Sequence, residues 1–105
     1  VNVPATFELV QWWDAPPEEP RFIAAELDGQ RYELRKIELF RDGTVMRLMS
    51  ERDLAEVPWP PLAELAADED EVFLSTLLTA EEFETLWADP SLQRCEEIRH
   101  GPLAP

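Results

Sequence analysis

At 105 residues the chain has room for one hydrophobic core and not for two. Its 23 acidic residues against nine Lys and Arg give a net charge of −14, which excludes the basic footprint that direct nucleic-acid or anionic-membrane binding requires. Four Trp, five Phe and one Tyr, within a 45% apolar share, exclude a disordered chain of the same charge.

The charge is uneven. Residues 1–50 hold nine acids and six bases, a net of −3, while residues 51–105 hold 14 acids and three bases, a net of −11. The single cysteine, Cys95, has no internal disulfide partner, as expected of a reducing, cytoplasmic setting. No apolar run reaches the ~20 residues of a membrane helix. No basic segment followed by an apolar core opens the sequence, so no signal peptide is expected.

Residues 5–13 alternate as a strand, with Phe7 and Leu9 on one face and Val10 and Trp12 on the other, so both faces are expected to be covered. Residues 14–20, with three prolines, read as a loop. A second strand spans residues 21–27. Asp28-Gly29 then signals a two-residue hairpin turn, which pairs Glu26 with Arg31 and Ile23 with Leu34. Asp42-Gly43 signals a second such turn, pairing Glu38 with Arg47 and Leu39 with Met46.

The strand between these turns carries a conflict. Tyr32 and Leu34 are even-numbered, whereas Ile37 and Leu39 are odd. Either a β-bulge near Arg35-Lys36 restores one apolar face, or both faces are covered.

Residues 50–61 are irregular, with Trp59 between prolines. A short helix is expected over residues 61–67, then the acidic run Asp68 to Glu71, then a strand over residues 72–78. Thr79 with Glu82 forms a capping box, opening a helix that presents Phe83, Leu86 and Trp87 on one face. Asp89-Pro90 reads as a break with Asp89 capping a last helix through Leu92, Cys95 and Ile98. These elements make an α+β domain: a mostly antiparallel meander sheet of four or five strands, covered on one face by one or two helices. The whole of 1–105 is one domain, with a core at about 7–89 and a C-terminal helix and tail at 90–105.

Several landmarks taken together resemble a family of small bacterial proteins described only as a domain of unknown function. They are Trp12-Trp13-Asp14, Pro17 to Pro20, the block Arg31 to Gly43, Pro58 to Glu64, and Ala80 to Trp87. The resemblance covers roughly residues 7–89. It implies the architecture and a bacterial origin, and no activity.

No catalytic constellation emerges. A lone His100 and a lone Cys95 cannot build a structural zinc site, and the acidic run lacks the ligand spacing and Gly of a Ca²⁺ loop. No cofactor or metal is therefore expected, and the reading leans away from an enzyme without excluding one. The leading expectation is a non-catalytic acidic binding protein, most concretely an immunity- or antitoxin-type inhibitor of a basic intracellular partner. A stand-alone interaction or scaffold module is the second, and a small-molecule or enzymatic pocket between sheet and helix the third. The expected partner surface is Trp59, Glu64, Asp68, Glu69, Asp70, Glu71, Glu81 and Glu84. Arg35 and Lys36, which the two turn registers leave without partners, are the candidate anion or ligand contacts.

Overall fold

The computed structural model describes residues 4–12, 14–60 and 73–100. Its strands are β1 (Thr6–Trp12), β2 (Phe22–Leu27), β3 (Glu33–Leu39), β4 (Val45–Leu48) and β5 (Phe73–Leu78). They form one sheet of order β4-β3-β2-β1-β5, with every neighbouring pair antiparallel. Helices α1 (Ala80–Ala88) and α2 (Leu92–His100) follow, giving an α+β fold. The helix expected over residues 61–67 lies outside the described residues.

β1 sits between β2 and β5, and Glu8, Leu9, Val10 and Gln11 are all buried. The expected two-sided cover of this strand is therefore present. Leu9 faces the helices and joins Phe22, Ala24, Ile37, Leu39, Leu78, Phe83, Leu86 and Cys95 in one core. Gln11 shares that face by alternation, and its amide has no hydrogen-bond partner among the described residues.

Both hairpins differ from their expected registers for the same reason. Neither loop is a two-residue turn. Phe40 N–H donates to Thr44 O and Gly43 N–H to Phe40 O, which defines a three-residue loop with Gly43 in the left-handed region at φ +91°. One extra loop residue shifts the pairing by one, to Leu39 with Val45 and Ile37 with Arg47. That slip turns β4 over. Val45, not Met46, now packs against the core, and Met46 is exposed.

The first loop repeats this geometry at different sequence positions. Asp28 N–H donates to Tyr32 O, and Arg31 N–H to Asp28 O. Asp28 Oδ1 also accepts from Gln30 and Tyr32 N–H. Arg31, at φ +71°, occupies the left-handed position that Gly43 fills in the second loop. The Asp-Gly pair opens one loop and closes the other.

β3 does carry a bulge, displaced from the expected place. Glu26 pairs with Arg35, yet Leu27 pairs with Glu33, so Leu34 is the extra residue. It does not restore a continuous apolar face. Tyr32 and Leu34 are exposed, while Ile37 and Leu39 are buried.

The capping box of α1 forms as expected. Thr79 Oγ1 accepts from Glu82 N–H at 3.0 Å, and Glu82 returns the bond to Thr79 N–H at 2.8 Å. Phe83 and Leu86 enter the core, and Trp87 packs at its rim, 6.1 Å from the Phe83 ring. Asp89 is not the cap of α2: it closes α1 through its N–H to Thr85 O. Ser91 takes the capping role, its Oγ accepting from Arg94 N–H at 3.1 Å.

A candidate binding cleft on the sheet face opposite the helices

On the face away from α1 and α2 the register sets the side chains in rows. Val10 lies beside Ile23, Ile23 beside Glu38, and Glu38 beside Met46. In the next row Glu8 lies beside Ala25 and Ala25 beside Lys36. Glu8 is fully buried, a costly place for a carboxylate unless it is paired. The Arg31 guanidinium pairs with it through two bonds, of 2.5 and 3.0 Å, and Ser75 Oγ adds a third at 3.2 Å.

The left-handed turn aims Arg31 back across the sheet. Its Nε and Nη2 also donate to Pro60 O, at 2.9 and 2.7 Å, while its own carbonyl accepts from Trp59 N–H at 2.9 Å. One residue thus neutralises the carboxylate inside β1 and fastens the irregular segment that crosses the sheet.

Glu33 fastens the same segment a second time. Its oxygens accept from Ala55 N–H at 2.9 Å and from the Trp59 indole N–H at 2.7 Å. Lys36 Nζ lies 3.2 Å from Glu33 and 3.6 Å from Glu38. Glu33 and Lys36 can meet on one face, despite their odd spacing, because Leu34 is bulged between them. Burial acts to raise the Glu33 pKa, but the Ala55 and Trp59 donors and the nearby Lys36 cation outweigh it and hold it below the usual value.

Trp59 and Pro60, so held, wall an open cleft of about 190 Å³ that Val10, Ile23 and Glu33 also line among the described residues. Its surface is mainly apolar with one ionised carboxylate. The cluster of Glu33, Glu38 and Lys36 beside it carries two negative charges against one positive. The cleft thus combines a fixed indole and aliphatic walls with a Glu33 side chain that is only 4% exposed and already bonded to Ala55, Trp59 and Lys36. Among the described residues no group of three or more His, Cys, Asp or Glu is placed to hold a metal ion.

The expected site residues fall in several places. Trp59 is at the cleft and is half-buried. Glu81 and Glu84 are exposed on α1, remote from the cleft in the fold, and Glu81 lines a separate groove of about 230 Å³ with Leu86, Arg94 and Ile98. Glu64 and Asp68 to Glu71 lie outside the described residues. Arg35 is not free for an anion. It bonds Glu26 at 2.6 Å, pairs with Glu84, and lies 4.8 Å from the centroids of both Phe83 and Trp87. Lys36 is likewise engaged with Glu33 and Glu38. Nor do the expected strand pairs form: Arg31 pairs with Glu8 rather than Glu26, and Arg47 Nε donates to Trp87 O rather than to Glu38.

Glu8 and Glu33 were not singled out from the sequence, and Arg31 was read there as the cross-strand partner of Glu26. One signal was available for Glu8: an acid between Phe7 and Leu9, in a strand expected to be covered on both faces, needs a cation. The space between sheet and helices, where a small-molecule pocket was the third expectation, holds the core side chains described above.

Comparison with curated proteins and with solved structures gives no match. The family model described as domain of unknown function DUF6881 matches residues 6–91, from the first residue of β1 to the capping residue of α2, and the chain belongs to that family.

Proposed function

We propose that the protein is a non-catalytic binding protein for a basic protein partner, most concretely an intracellular bacterial inhibitor of the immunity or antitoxin type. The observation that carries this reading is where the cations go. Arg21, Arg31, Arg35, Lys36 and Arg94 pair with the chain's own carboxylates. Arg41 and Arg47 donate to the carbonyls of Ala15 and Trp87. The fold thus engages seven of its nine cations internally, while many of its 23 carboxylates, such as Glu51, Asp53, Glu56 and Glu81, are exposed.

Such an exterior attracts a basic surface at long range and speeds its docking. Affinity capture from the native cell, followed by binding of the purified partner at two ionic strengths, tests the reading. The expected partner has a basic surface, and association slows at least tenfold between low and physiological salt. A partner of acidic surface, or an association rate indifferent to salt, overturns it.

A further inference from the structure

We propose that the cleft walled by Trp59 and Pro60 receives a single long cationic side chain, a lysine or arginine, presented by the basic partner; this rests on the function proposed above. Three observations converge on that occupant. The first is size. At about 190 Å³ the cleft is smaller than the ~300–1,000 Å³ of sites that enclose whole small molecules, and it suits one extended side chain.

The second is chemistry. Val10, Ile23 and Pro60 offer aliphatic surface to a methylene stem, and the Trp59 indole suits the cationic head, while the buried Glu33 carboxylate, already bonded to Ala55, Trp59 and Lys36, acts on it through charge rather than contact. The third is charge. Lys36 is shared between Glu33 and Glu38, so the cluster beside the cleft keeps a net negative charge of one. Neutral apolar anchors would leave that charge uncompensated, and a second copy of this chain, at a net charge of −14, would meet repulsion.

The cleft is also preorganised. Trp59 is held at both its backbone N–H, by Arg31 O, and its indole N–H, by Glu33. Little conformational freedom is lost when a side chain enters, which favours binding. Arg31 explains how the segment is held: its left-handed backbone, strained for a non-glycine residue, positions the carbonyl that Trp59 N–H meets.

The experiment uses the whole chain, labelled with ¹⁵N, and follows the Trp59 indole N–H, identified by its loss in Trp59→Phe. The probes are n-butylguanidinium and n-butylammonium, with 1-pentanol as the uncharged control. The cations are expected to shift the Trp59 signal saturably at about millimolar concentration, roughly tenfold more tightly than the alcohol. No shift, or equal shifts by cation and alcohol, overturns the proposal.

The second arm places the occupant on the protein itself. Ile23→Lys puts a cation into the cleft and should abolish the shift, and it should weaken the purified partner's binding at least tenfold. Gln30→Lys, exposed in the first hairpin loop, is the control for the added charge. If Ile23→Lys and Gln30→Lys bind the partner alike and binding stays salt-dependent, the cleft is not the dock although the partner is basic. If binding is salt-indifferent, the basic-partner reading fails instead. Should Ile23→Lys fail to fold, the probe titration of the unaltered chain still decides.

Discussion

Replacing Arg31 by Gly sets two opposed effects against each other, and the structure says which is larger. The gain is backbone relief, since a left-handed φ of +71° costs a residue with a Cβ about 1 kcal/mol. The loss is electrostatic. Glu8, fully buried, would keep only the Ser75 bond among the described residues, and removing one partner of a buried pair costs about 3–5 kcal/mol. The bonds to Pro60 O add about 1 kcal/mol. Because the Arg31 side chain is 23% exposed, the lower end of that range is appropriate, and the net loss is about 3 kcal/mol. For a domain of this size that lowers Tm by roughly 12–24 °C. Urea unfolding followed by circular dichroism, with a thermal melt, measures it.

The double variant Glu8→Leu with Arg31→Gly removes the charge and the strain together. It should return to within about 1 kcal/mol of the parent, or exceed it. A loss below about 1 kcal/mol for Arg31→Gly alone, or no recovery in the double variant, would refute the reasoning that the turn is held by this pair. Gly43→Ala is the mirror experiment. Nothing lies within 4 Å of the added Cβ, so its expected cost of about 1 kcal/mol is backbone strain alone. An unchanged urea midpoint would mean the second loop adapts freely.

Three further outcomes are expected. Gln11→Leu should stabilise the protein by about 1–3 kcal/mol, because its buried amide has no partner among the described residues; a lower Tm would show that the amide is bonded in solution. Burial, reinforced by the neighbouring Glu96, pushes the Cys95 thiol up to about 12, so Cys95 should react with Ellman's reagent at pH 8 only as fast as the protein opens, and prompt labelling of folded protein would contradict this. The folded-state pKa of Glu33 lies below its unfolded value, so its stabilisation is complete above the unfolded pKa and fades as pH falls below about 4. The stability gap between the parent and Glu33→Gln should therefore narrow between pH 7 and pH 3; a gap independent of pH would remove the ionised latch.

What was legible in the sequence was what depends on neighbours along the chain. The Thr79–Glu82 box is closed by residues three apart, and the amphipathic face of Phe83, Leu86 and Trp87 follows from helical period alone. The Asp-Gly turns show the limit. The dipeptide marks a loop but not its place within it, and one residue of loop length decides which face of β4 meets the core. Arg31 in a left-handed conformation was not legible. What sustains it is Glu8, 23 residues earlier, together with Pro60, 29 residues later. The parity conflict pointed to a bulge near Arg35-Lys36 that would restore one apolar face; the bulge instead falls at Leu34, restores no such face, and is followed by Glu26 pairing with an Arg35 that α1 holds through Glu84.

The place of β1 has a consequence for how the chain comes to fold. β1 leaves the ribosome before β2, which pairs with one of its edges and carries β3 and β4 beyond it, but its other edge closes only when β5 has been made. Until then β1 is an open edge with apolar side chains toward both faces, the kind of edge that recruits strands from other chains. The surplus of carboxylates keeps such half-made molecules apart. Refolding yield should accordingly fall as salt is raised or as pH approaches the isoelectric point near 4.2, so the acidity serves the nascent chain before it serves any partner.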